Sequence, residues 1–178
     1  MTAYQGRTVE QQNNRHLGGI VPYLGPSSSF IDAAEYLVCP SDDVAVRPKA
    51  TTAAKGGAFK FSYTMNRRLS AEYPETPKMS SVKRATEIAM IMEEAASTID
   101  DGACEMAAYD KAGVRQEGGN LLNIVHDRRG ANIDNTYDPV LSLPDRKGNL
   151  GYVDGHAEYV DRKRAHYEPN INPSVPIN

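Results

Sequence analysis

Phe59-Lys60-Phe61-Ser62-Tyr63-Thr64-Met65 alternates apolar and polar side chains without a break. A period of two is that of a half-buried strand, so Phe59, Phe61, Tyr63 and Met65 are expected inward, with Lys60, Ser62 and Thr64 toward solvent. Downstream, past Pro74 and Pro77, Glu87-Ile88-Ala89-Met90-Ile91-Met92-Glu93 is a continuous apolar run suited to a central strand covered on both faces, with a short helix as its rival. Leu121-Leu122-Asn123-Ile124-Val125 reads as a third strand. Gly151 to Val160 holds two β-prone runs joined by Asp154-Gly155, a dipeptide that favours a tight type I′ hairpin turn.

Upstream the pattern turns helical. Thr8-Val9-Glu10-Gln11 has the form of a capping box opening a helix toward Leu24, which frays near Tyr23-Leu24-Gly25-Pro26. A second helix is expected from Ser29, carrying Phe30, Ala33, Ala34 and Leu37 inward and stopping before Cys39-Pro40. Residues 41–57 and 128–148 read as loops, and the three-proline tail from His166 to Asn178 as extended chain. The expected class is α+β: an N-terminal helix packed on an antiparallel sheet over residues 1–164, followed by an extended C-terminal tail over 165–178.

A chain of 178 residues is long enough for one real core. With 20 Lys+Arg against 23 Asp+Glu, the net charge of −3 is scattered along the chain. That excludes the basic face a nucleic acid needs. Arg67-Arg68, Arg128-Arg129 and Arg162-Lys163-Arg164 read as solvated surface. No run approaches the roughly 18 apolar residues of a membrane helix, so no membrane insertion is expected. Cys39 and Cys104 lack Cys-x-x-Cys spacing; they are either bridged to each other or simply small buried residues.

The chain carries no phosphate-binding Gly-x-x-x-x-Gly-Lys, no Gly-x-Ser-x-Gly elbow, no His-Glu-x-x-His and no Gly-x-Gly-x-x-Gly, which points away from an enzyme. Two metal constellations stand out. Asp154, His156 and Glu158 alternate beside the hairpin turn, with His126 brought in by strand pairing; a histidine with carboxylates suits a transition metal. The plainer reading makes Asp154 a turn residue and His156 and Glu158 solvent-side groups. Asn132, Asp134, Thr136 and Asp138 place oxygens at every second position of a polar loop, and calcium takes about six to eight oxygens. The same residues form Asx turns without any ion. His16 and His166 read as surface or interface groups, and the 10 tyrosines suit contact surfaces.

The order Tyr23-Leu24-Gly25, Cys39-Pro40-Ser41-Asp42, Ser62-Tyr63-Thr64-Met65-Asn66, Val82-Lys83-Arg84 before a strand ending in Glu93-Glu94, Val125-His126 and Val153-Asp154-Gly155-His156-Ala157-Glu158 resembles the bacterial prepilin-type proteins with a C-terminal His and Asp-Gly signature. The resemblance implies a pseudopilin-like head, a non-enzymatic subunit at the cell surface or outside the cell. It would work by assembly with itself or with other structural proteins, with calcium as an occasional ligand. The family's hydrophobic helix is not seen ahead of residue 20, and residues 127–153 separate His126 from Asp154 where the family has a far shorter spacer. Those departures favour an alternative, a virion surface or decoration component on the same fold. A metal-dependent hydrolase using His126, Asp154, His156 and Glu158 is the remaining alternative.

Overall fold

The computed structural model describes residues 37–42, 60–69, 80, 82–99, 102–117, 119–127 and 143–175. Its main element is a five-stranded sheet in the order β3-β1-β2-β6-β7, formed by β1 (Tyr63–Asn66), β2 (Ala89–Glu93), β3 (Ala103–Cys104), β6 (Lys147–Tyr152) and β7 (Ala157–Asp161). β4 (Ala108–Tyr109) and β5 (Arg115–Glu117) form a separate antiparallel pair. Two single-turn helices follow β7: α1 (Arg162–Ala165) and α2 (Glu168–Ile171).

The α+β expectation is corrected. The regular structure of the described residues is mostly β, their longest helices have four residues, and the sheet is mixed because β3 joins β1 in parallel. The helices expected upstream of Leu37 and the loops at 43–57 and 128–142 lie outside the described residues. None of the described helices is long and apolar enough to cross a membrane.

The apolar run Glu87 to Glu93 becomes β2, the middle strand, as its continuous hydrophobicity predicts. Met92 packs with Leu150, Tyr152, Val160, Cys104, Met106 and Leu122 in the main core. Each such side chain contributes about 1.5–3 kcal/mol by leaving water. The Asp154-Gly155 hairpin also forms, joining β6 to β7 in antiparallel register from Lys147↔Asp161 to Gly151↔Ala157. Its turn is longer than a two-residue loop: Gly155 N–H bonds Tyr152 O at 3.0 Å, and Tyr152 N–H bonds His156 O at 2.9 Å. Gly155 takes φ 95°, a left-handed conformation that suits glycine.

β1 inverts the expected faces. Ser62, Thr64 and Asn66 are buried, whereas Tyr63 is half-buried and Met65 is 41% exposed. The inward face is polar because it has partners there. Thr64 Oγ1 donates to Glu94 Oε2 at 2.9 Å, and Asn66 Nδ2 donates to Ala89 O at 2.8 Å and Ile171 O at 2.9 Å. Buried polar groups are tolerated when hydrogen-bonded, so alternation located the strand but not its inner side.

Other expectations are corrected too. Leu121–Val125 makes no strand, only an isolated bridge at Leu122, although Leu121 to Ile124 are buried. The tail is not extended chain: Ala165 and Ile171 belong to the core, and Asp161 caps α1 by accepting from Arg164 N–H at 2.7 Å. Arg162 is fully buried and gives Nε and Nη2 to Leu122 O at 3.0 and 2.8 Å. His166 is also a core residue, with Nε2 accepting from Leu122 N–H at 3.0 Å and Nδ1 2.7 Å from Ala107 O. Cys39 and Cys104 are both buried and both free thiols.

Candidate metal centre

Three segments that are distant in sequence supply the site. The first is a turn at Cys39–Asp42, where Pro40 suits the second position and Asp42 N–H closes on Cys39 O at 3.0 Å. Buried Ser62 fastens this turn to the sheet. Its hydroxyl accepts from Cys39 N–H at 2.9 Å and donates to Asp42 Oδ2 at 2.6 Å, while its own N–H reaches Leu37 O at 2.8 Å.

The second segment carries His126 on the turn Ile124–Asp127, closed by Asp127 N–H to Ile124 O at 2.9 Å. Asp127 in turn accepts from Lys147 N–H at 3.0 Å and pairs with Arg146 at 3.4 Å, which ties the turn to the start of β6. The stretch before it lies so close to β6 that a Cβ on Gly148 would sit 1.9 Å from Asn123 O. Any larger residue there would push the histidine segment away.

The third is the end of β2. Glu93 is 1% exposed, and a carboxylate so buried costs several kcal/mol unless it is hydrogen-bonded and paired. Asn149 Nδ2 donates to its Oε2 at 2.9 Å and Asn123 Nδ2 to its Oε1 at 3.3 Å. These two amides fix the carboxylate plane, the usual part of the groups that surround metal ligands.

The side chains converge on one imidazole nitrogen. His126 Nε2 lies 3.1 Å from Cys39 Sγ and 3.3 Å from Glu93 Oε2, and the three donor atoms all fall within 4.8 Å of one another. Bonds of about 2.0–2.3 Å in a tetrahedral zinc site separate neighbouring ligand atoms by roughly 3.3–3.8 Å, so little movement is needed to seat an ion. This group is able to hold a metal ion.

A nucleophilic relay fits less well. Such a relay places the nucleophile on one ring nitrogen and the orienting acid on the other. Here both neighbours meet Nε2. Burial pushes the Cys39 thiol up, and Glu93 and Asp42 push it further, the reverse of what an activated cysteine needs. His126 keeps 31% of its side chain exposed and borders an open groove of about 670 Å³ that Lys147, Tyr159 and Lys163 also line.

No protein-family model matches this chain, and neither does any curated protein or solved structure.

The structure separates the histidines that the first constellation combined. His126 belongs with Cys39 and Glu93. His156 stays in the hairpin: Nδ1 is 2.5 Å from Asp154 Oδ1, Nε2 is 3.7 Å from Glu158 Oε1, and the ring stacks on Tyr152 at 4.3 Å. Arg164 pairs with Glu158 at 2.8 Å, so the cluster is a surface chain of polar contacts ending in one ion pair. The hydrogen bond from His156 holds the Asp154 carboxyl below its ordinary range. Asn132, Asp134 and Asp138 lie outside the described residues, and nothing among those described is specific to calcium. Sequence reasoning missed Cys39 and Glu93 as candidate ligands. The available signal was a charged Glu93-Glu94 pair ending an apolar run, where both carboxylates become buried.

Proposed function

We propose that the chain is a non-enzymatic structural domain that acts by assembly with copies of itself or with partner proteins, its fold stapled by a divalent transition metal. The observation that carries the staple is the meeting of Cys39, Glu93 and His126 from three separate segments on one point. Thiolate, imidazole and carboxylate donors together suit zinc and its neighbours, whereas calcium takes oxygen ligands alone. An ion there would tie the Cys39 turn and the His126 turn to the middle strand, and its binding free energy would become folding free energy. The ordered motifs resembling pseudopilin heads and the tyrosine-rich composition support the assembly role.

Metal analysis of the purified protein is expected to find about one zinc-class ion per chain, removable by a chelator. Free zinc at about 100 times the Kd should add roughly 2.7 kcal/mol of stability. Zinc that neither binds nor raises the melting temperature would remove the staple. Sedimentation and electron microscopy of the zinc-loaded protein should reveal a filament, shell or other array at high concentration. A monomer at every concentration would remove the assembly role.

A further inference from the structure

We infer that His166 is the pin of an acid-sensitive latch, which holds the C-terminal segment from Arg162 to Val175 against the Leu122 stretch at neutral pH and lets the two part on acidification. The inference stands without the metal reading. One helix, α1 with its C-cap, grips both backbone groups of Leu122. Arg162 Nε and Nη2 donate to the Leu122 carbonyl at 3.0 and 2.8 Å, and the Leu122 N–H donates to His166 Nε2 at 3.0 Å. A ring nitrogen that accepts a hydrogen bond carries no proton, so the imidazole's one hydrogen is on Nδ1, which donates to Ala107 O at 2.7 Å. His166 is 0% exposed, and this pair of bonds exists only in its neutral form. Its main chain adds a third tie, accepting from Tyr109 N–H at 2.9 Å. One residue thus joins the C-terminal segment, the Leu122 stretch and β4.

A proton on Nε2 would set two donors face to face and place a charge in the core. Arg162, bonded to the same residue, adds a like charge. The elements around the ring also bring Glu94, Asp161, Glu168 and Tyr109. Glu94 bridges Leu122 through its backbone, and its carboxylate accepts from Thr64 Oγ1 at 2.9 Å and from Asn120 Nδ2. Asp161 gives its carboxylate to Arg164 N–H at 2.7 Å, Glu168 opens α2, and Tyr109 meets His166 through its backbone. The folded state therefore holds fewer protons at this site than an unfolded histidine, which protonates near about pH 6.5. The latch contributes fully above that value and weakens as pH falls below it. Ala165 and Ile171 share the main core with Leu122, Met106 and Ala108, so release of the segment would bare an apolar face at low pH.

The test uses the full chain kept in chelator, so that metal plays no part. Hydrogen exchange is compared at about pH 7.5 and about pH 5.5, either side of the ordinary histidine value, with the intrinsic effect of pH removed. Residues 119–127 and 162–175 should lose protection together at the lower pH while the β6–β7 hairpin keeps its own. The unfolding equilibrium constant should rise with acid more steeply in the parent than in His166→Gln, by up to about tenfold per pH unit, because one extra proton is taken up on unfolding. Ring nitrogen resonances of the parent should show His166 as the Nδ1–H tautomer at neutral pH. Equal slopes in parent and variant, or protection lost evenly across the chain, would overturn the latch. So would a His166 that becomes imidazolium while the Leu122 N–H stays protected. That last measurement needs only the parent protein, so it decides the matter even if His166→Gln fails to fold.

Discussion

Two histidines mark two kinds of polar cluster in this molecule. His156 has its acidic partners within two residues along a hairpin, and its side chain and those of Asp154 and Glu158 are 36%, 31% and 36% exposed. His126 takes its partners from a turn and a strand far away in sequence, and the Glu93 side chain it meets is fully buried. Water already solvates the first cluster, so its polar contacts contribute little. The second holds a desolvated carboxylate beside a thiol and an imidazole, where a cation would gain most. The difference teaches that spacing identifies candidate ligands, while burial and long-range convergence select among them.

The largest expected effect tests the packing that brings the His126 segment in. Gly148→Ala would drive a Cβ into the Asn123 carbonyl, and denaturant unfolding should show a loss of about 3 kcal/mol together with weakened metal retention. A mild effect would mean that the approach of this segment to β6 is not tight.

Next in size is Asn149→Ala. It leaves Glu93 Oε2 without its amide donor, which should cost about 2 kcal/mol in the metal-free protein. Zinc affinity should fall about 10- to 100-fold in the same variant, measured by competition with a chelator. Unchanged affinity would sever Glu93 from the centre.

The third concerns the hairpin side and pH. Burial raises the Tyr152 phenol from 10 to about 12, with Glu158 adding to the rise and Arg164 opposing it. The neutral form is favoured in the folded state, so this contribution is intact below pH 10 and lost as pH rises toward 12. Stability measured by denaturant across that window should decline, and Tyr152→Phe should flatten the decline. A slope unaltered by the substitution would sink the assignment.

The smallest effect belongs to the other histidine. His156→Ala should change stability by no more than about 0.5 kcal/mol and leave zinc binding as it was. Loss of metal in this variant would reverse the ranking of the two clusters.

Legibility followed the range of the interaction. Ala89–Glu93 and the hairpin around Asp154-Gly155 were readable because hydrophobic continuity and turn chemistry act within a few residues. Of the alternating stretch, Tyr63–Met65 was readable as strand but not in its orientation: Ser62, Thr64 and Asn66 face inward only because Asp42, Glu94 and Ile171 wait there. The Asp154, His156 and Glu158 set was visible through spacing and proved to be surface. Cys39 and Glu93 carried no shared pattern, and each alone has an ordinary explanation as a small buried residue or a strand end.

By itself, the sequence determined the middle strand and the hairpin, since hydrophobic periodicity and turn propensity are local properties. Tertiary structure alone decided which face of β1 is inside, that Arg162 and His166 are core residues, and that Cys39, Glu93 and His126 meet. Those outcomes depend on desolvation and on partners delivered by other segments, and neither is encoded within the few residues that set secondary structure.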